Sequence, residues 1–308
     1  MDIIKNRYLY FLISLIVIIP GMIALAIWGL PLAIDFTGGS SLEVKFDAGK
    51  VPQSADVIKV YRGLNIADPQ VQASEENIVI IKSKYITEET KDLILVEMSK
   101  QLNSKTEVVR FDTVGPSVGQ EVASRAAITV GLAALGILLY ITWAFRKIPN
   151  AFRYGTAAII ATLHDIALVV GFQALFGHFL GWEVDSLFLT ALLTVIAFSV
   201  HDDVVVFDRI RENSQIHRNL PYDRIVNHSL VQTLGRSLKT QFTVMLTLLA
   251  LVLFGGITIF HFTVILLMGI FSGTYSSIFN AAQILVVWEY KEWRNWFKPK
   301  KQISETAA

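Results

Sequence analysis

Apolar residues fall into six long blocks, near 9–32, 127–145, 155–177, 184–206, 238–256 and 260–288. Each is long enough for a bilayer-spanning helix, which needs roughly 20 mostly apolar residues. The first block is long and has no small-residue cleavage site behind a short apolar core, so it reads as a retained anchor. Between the first and second blocks the period changes. SSLEVKF alternates like a strand. QSADVIKVYRGL has helical spacing, with Val57, Val60, Tyr61 and Leu64 on one face. PQVQAS and NIVIIKS read as paired strands around the polar turn SEEN. TEETKDLILVEMSKQL opens with Thr87 as N-cap and Glu88 and Glu89 in the first turn, where carboxylates suit the helix dipole. TEVVRFDTV closes as a strand. The order βαββαβ predicts an α+β ferredoxin-like module. The pattern therefore predicts a helical polytopic membrane protein with four parts. They are an N-terminus and first helix (1–34), an extracytoplasmic ferredoxin-like domain (35–122), transmembrane helices two to six (123–290) and a C-terminal tail (291–308).

Charge sets the orientation. Lys5 and Arg7 precede the first block; Arg146, Lys147 and Arg153 follow the second. Arg209, Arg211, Arg218 and Arg224 lie between the fourth and fifth, with Arg236 and Lys239 at the next helix start, and Lys291, Arg294, Lys298, Lys300 and Lys301 lie at the end. The short loops near 178–186 and 255–260 carry neither Lys nor Arg. By the positive-inside rule both termini are cytoplasmic. The chain is 53% hydrophobic and 17% charged, with a net charge of +1, a balance that points away from nucleic acid. It contains 0 Cys, so disulfides and thiolate metal sites are excluded.

The candidate chemistry lies inside the apolar blocks. FSVHDDVVVFDRIREN (198–213) carries His201, Asp202 and Asp203. Asp202 lies seven residues before Arg209, about 10 Å inside the membrane border at 1.5 Å per residue. A carboxylate near a span centre costs roughly 2.5–3.5 kcal/mol on insertion scales, so it must face protein or water, be paired, or be protonated. Asp202 reads as a proton acceptor or as a buried hydrogen-bonding group that joins helices. Asp203 points about 100° round the helix, so the two need not line one path. Asp208, Arg209, Arg211 and Glu212 read as a solvated helix end. His164 and Asp165 in the third block are either a satisfied interhelical contact or a second polar station. Arg236 either snorkels or reaches Asp202. Gly269, Gly273, Ser276 and Ser277 recur at three- and four-residue steps and read as a close-packing face.

With these residues identified, the chain resembles the SecF family, whose members are the smaller membrane subunits of the bacterial SecDF export complex in the resistance–nodulation–division superfamily. The resemblance rests on IDFTGGSSLEV, VGPSVGQEV, LHD, VVVFDRIREN, NHSLVQTLGRSL and GTYSSIF, in order along nearly the whole chain. It implies half of a transport unit, located in the bacterial cytoplasmic membrane and embedded in its lipid. It also implies partnership with SecD and the SecYEG translocon, with a translocating unfolded polypeptide as the handled chain. The implied role is non-enzymatic: use of the proton-motive force to promote late export steps, with no bound cofactor and with sodium as an alternative coupling ion. The family's intramembrane Asp falls on Asp202 and its functional Arg on Arg236, which implies an ion pair. The chain departs from the family at His201 and Asp203, where Asn and Thr are usual, and at Asn280 and Gln283. Two other readings compete. One is an intramembrane aspartyl protease, which lacks its GxGD pattern here. The other is an ion- or metal-coupled transporter subunit using His164, Asp165, His201 and Asp202.

Overall fold

The computed structural model describes residues 2–47, 51–67, 69–73, 77–146 and 150–295. Most of the expected SEEN turn, Lys147 and residues 296–308 of the tail lie outside the described residues. After a 3-10 turn at Ile4–Asn6, the chain forms α1 (Arg7–Trp28), α2 (Ile34–Thr37), β1 (Gly39–Phe46), α3 (Ser54–Gly63), β2 (Gln70–Ala73) and β3 (Ile78–Ser83). It continues through α4 (Glu88–Leu102), β4 (Thr106–Val114), α5 (Pro116–Ala144), α6 (Ala151–Leu180), α7 (Ser186–Ile216) and α8 (Tyr222–Phe254). It ends with α9 (Ile257–Ser276), a π-helical turn at Ser277–Ala281 and α10 (Ala282–Glu289). Six helical stretches are long and apolar enough to cross a membrane. They run 25 to 33 residues, longer than the apolar blocks, because polar turns such as DRIREN extend them.

One compact unit comprises Pro31–Thr129 and the segment Glu183–Ser186; the sequence alone placed its limits at 35 and 122. Its antiparallel sheet has the order β2-β3-β1-β4, the ferredoxin-like arrangement the βαββαβ pattern predicts. Alternate residues of β1, Leu42, Val44 and Phe46, are buried with Val79 and Ile81 of β3, Val57, Val60 and Tyr61 of α3, and Ile94 and Met98 of α4. Thr87 caps α4 by accepting the Thr90 N–H at 3.3 Å. The Tyr61 hydroxyl is enclosed without a partner, and burial pushes its phenol well above the ordinary tyrosine range. The Gly-Gly pair after α2 has positive φ at both residues, +72° and +136°. A Cβ on Gly119 would lie 2.6 Å from the Gly38 nitrogen, so this crossing also requires glycine at 119. The segment 183–186 pairs with the strand entering α2: Ala33 N–H donates to Val184 O and Val184 N–H to Pro31 O, both at 2.8 Å. Glu183 also binds Lys82 at 2.5 Å.

The second unit comprises Met1–Leu30, Val130–Trp182 and the chain from Leu187 onward. α1 crosses α6 backbone to backbone: a Cβ on Gly21 would lie 2.8 Å from the Gly171 Cα. α9 approaches α7 at Gly269, where a Cβ would fall 2.1 Å from the Val195 side chain. One core joins Tyr154, Ala157, Ala158 and Ala161 of α6, Val206, Phe207 and Ile210 of α7, and Val226 and Leu230 of α8 to Ile278 and Ala281 of the π-turn. At one end of this unit Asn213 donates to Ser229 Oγ at 2.8 Å and Gln232 Oε1 at 2.9 Å, tying α7 to α8. The alternating charges of DRIRE pair locally: Arg211 with Asp208 at 2.7 Å and Arg209 with Glu212 at 2.5 Å.

Candidate functional site

Three acids are buried within the helices: Asp165 of α6 and Asp203 of α7 at 0% exposure, and Asp202 of α7 at 3%. Asp165 is the best satisfied. Ser199 Oγ of α7 and Ser276 Oγ of α9 donate to its Oδ2 at 2.6 and 2.7 Å, and Ser272 Oγ donates to its Oδ1 at 2.7 Å. His164 Nδ1 lies 3.0 Å from the same Oδ1, an arrangement that places the proton on Nδ1. The helical period explains the convergence. Ser272 and Ser276 are four residues apart and share one face of α9, and Ser199 and Asp203 do the same on α7. Gly273 leaves a gap of about one methyl group between the two faces: a Cβ there would make ordinary contact, 3.4 Å from Ser199 Cα and 3.7 Å from Asp165 Oδ2.

Asp203 lies one helical turn beyond Ser199, and both its oxygens are enclosed without a donor. Asp165, Asp202 and the Ser277 hydroxyl are the polar groups acting on it, and that hydroxyl donates at 3.3 Å to the Ser199 carbonyl oxygen. Asp202 faces elsewhere. Gln241 Nε2 of α8 donates to its Oδ2 at 2.6 Å, and Gln241 Oε1 has no partner. Asp202 thus has one amide partner, where Asp165 has three hydroxyls and an imidazole.

The ion pair expected between Asp202 and Arg236 is not formed in this structure. α8 turns Ser237 and Gln241, one turn apart, inward, and it leaves Arg236 exposed. His201 is exposed, whereas His164 and Asp165 form their own cluster, so the metal set His164, Asp165, His201 and Asp202 does not converge. Among the described residues no three or more His, Cys, Asp or Glu are placed to hold a metal ion. Ser276 does more than pack, because its hydroxyl binds Asp165. Asn280 belongs to the π-turn and donates to Ser14 Oγ of α1 at 2.9 Å; Gln283 is enclosed with both amide atoms unpartnered. Sequence reasoning missed Gln241, Ser199 and Ser272. The i,i+4 spacing of Ser199 to Asp203 and of Ser272 to Ser276 was the available signal; Gln241 had none.

A family profile described as "Protein export membrane protein SecD/SecF, C-terminal" matches residues 94–291, and one described as "SecD/SecF GG Motif" matches 23–50. The chain is 54% identical to the protein translocase subunit SecF of Anaerolinea thermophila over 97% of each chain. It is 46% identical to that of Thermobaculum terrenum over 96% of each. It is 31% identical to the protein translocase subunit SecDF of Bacillus subtilis, over 94% of this chain but 38% of that protein. Among solved structures it is similar to SecDF of Thermus thermophilus, described as a translocon-associated membrane protein. There the TM-score is 0.80 at 29% identity, over 94% of this chain and 39% of that one.

Proposed function

Because the chain belongs to the SecF family of protein translocase subunits, we propose that it draws on the proton-motive force to promote late steps of polypeptide translocation. In this reading it acts beside a SecD-type partner at the Sec translocon. Its membership makes it a multi-pass membrane subunit with a role in protein export. Partnership is supported by the SecDF relatives, in which a stretch similar to this chain forms 38–39% of a longer polypeptide. Cytoplasmic termini and an outward 35–122 domain follow from the one-sided basic loops.

The observation that carries the coupling reading is Asp202, an acid at 3% exposure inside an apolar helix with a single amide donor. In this mechanism Asp202 alternates between a carboxylate and a neutral acid. In the charged state Arg236 is the counter-ion. Arg236 precedes the inward Ser237 by about 100° of helix, so a rotation of α8 by that angle would carry it inward. Gln241 suits both forms of Asp202. Its N–H donates to the carboxylate, and its unpartnered Oε1 can accept from the protonated acid after an amide flip. A shift of one packed helix against others is a discrete change that can be passed to the outer domain.

The test is gradient-driven export in vesicles containing the partner and the translocon. Asp202→Asn fixes the neutral form and should remove most of the proton-gradient stimulation while the protein still assembles. Gln241→Leu should lower it. Stimulation undiminished in Asp202→Asn would rule out Asp202 as the coupling acid.

A further inference from the structure

We propose that a cleft among α1, α6, α8 and α9 is a binding site for one acyl chain of a membrane phospholipid. The cleft has a volume of about 430 Å³, and its walls are almost wholly apolar. All of its lining residues belong to the helical unit. Helix packing explains why a gap stands there. Gly21 and Gly171 bring α1 and α6 into backbone contact, and Val17 and Leu168, each one turn before that crossing, border the cleft. Gly269 draws α9 against Val195 of α7. Leu267 and Phe271 flank Gly269 two residues to either side, so they stand about 160° round α9 from that contact. Both line the cleft, with Met245 of α8 as a further wall.

Depth selects the ligand. Val17 lies eleven residues before the end of α1, Phe172 eight before the end of α6, Met245 nine before the end of α8 and Leu267 ten after the start of α9. Successive spans alternate in direction, so these four helix ends lie on one side. At 1.5 Å per residue the lining sits about 12–17 Å in from them. That is close to the middle of a hydrocarbon layer roughly 30 Å thick. Water does not fill an apolar cavity that offers it no partners, and a void of this size costs too much packing to stand empty. Ser272, the polar residue of the wall, has already given its hydroxyl proton to Asp165. A headgroup or a peptide group would therefore be left without partners here.

Shape separates a lipid chain from a partner's helix. A helix 10 Å across fills about 420 Å³ per turn, so the cleft holds about one turn of a spanning segment. An alkyl chain is thinner and bends, and the unbranched side chains of Met245 and Met268 make a wall that adapts to it. Val17 and Phe271 are also exposed, at 40% and 67%, so the cleft is continuous with the apolar surface that the spans present to the bilayer. Transfer from bulk hydrocarbon gains no hydrophobic energy; preference for the cleft comes from close contact with a fixed wall.

Binding here needs neither a translocon nor a gradient, so the result is independent of the export reading. The experiment is photo-cross-linking in nanodiscs, with the full chain alone and assembled with its SecD-type partner. The probe is a phospholipid carrying a diazirine at the end of one acyl chain, and the cross-linked residues are mapped by mass spectrometry. Yield at Val17, Leu168 and Met245 should saturate as the probe's share of the lipid rises. Yield at Leu15, about 160° round α1 from Val17, should grow in proportion to it. Val17→Phe with Met245→Phe fills the cleft. Loss of about ten close carbon contacts should lower the ratio of cleft yield to Leu15 yield roughly tenfold. Leu168 then reports for the cleft, and Leu15→Phe should leave its yield unchanged. Because the doubly substituted chain is read as a ratio, a general loss of folded protein does not mimic the result. Cleft yield that never saturates in the unmodified chain, or a ratio unchanged by the double substitution, would overturn the proposal. Cleft yield lost on assembly would give the cleft to the partner's helix and overturn it as well.

Discussion

A carboxylate held by three hydroxyls and one held by a single amide respond differently to truncation of their partners. Each serine on Asp165 donates to a buried carboxyl group, and losing such a partner costs about 1–3 kcal/mol. Ser272→Ala should destabilise the helices by that amount. Ser199→Ala with Ser272→Ala should cost other than the sum of the two, since both act on one carboxylate. Thermal scans of the two singles and the double would check this, and strict additivity would argue against a shared hub. The opposite case is Tyr61, whose buried hydroxyl has no partner. Tyr61→Phe should leave stability unchanged or raise it by up to about 1 kcal/mol; a fall of that size would reveal a partner for the hydroxyl. At this scale the sequence identified which acids are buried but not what they touch. Asp202 and Asp203 are adjacent, and only the 100° step between them indicated that their surroundings would diverge. Gln241 lies thirty-nine residues from Asp202 on another helix, and no local pattern links them.

Elements were more legible, for a physical reason. A bilayer demands long apolar helices, and a half-buried sheet demands alternation, so both leave periodic traces. The six helices, the four strands and the Thr87 cap all had such traces. α2 has four residues and none, the pairing of 183–186 with 31–33 is set by tertiary contact, and the π-turn has the composition of the helix around it. Helix contacts bring their own expectation. Gly269→Ala would drive a methyl group to 2.1 Å from Val195, and overpacking of this kind costs about 1–3 kcal/mol. Val195→Ala in the same chain should recover most of the loss. Failure of that rescue in a denaturation series would place the strain elsewhere.

For the whole molecule, orientation and partnership each carry an expected outcome. In the proposed orientation, with the basic loops inside, Ser83 lies outside the cell, so a reporter fused after Ser83 should be active there and silent in the cytoplasm. Cytoplasmic activity would reverse the orientation of every helix. α5 is a second indicator. Only 6% of its apolar window is buried by the rest of the chain, against 50% for the window in α7. In the family reading a SecD-type partner supplies the missing half. Expression without that partner should shorten the chain's lifetime in the cell; equal abundance with and without it would weaken the case for an obligate pair.

The π-turn at Ser277–Ala281 has a genetic consequence. A π-turn holds one residue more than an α-helical turn, and the flanking helix on either side stays in phase around the extra residue. Removal of one codon within 278–281 should therefore leave an unbroken helix with both flanks facing as before. The same deletion in the middle of α7 would turn everything after it by about 100°. This stretch is where the last span can lose a residue without turning one of its ends relative to the other. Such a deletion, of any of these residues but Asn280, would erase the bulge beside Ser277 and Asn280 while preserving the helix that carries them.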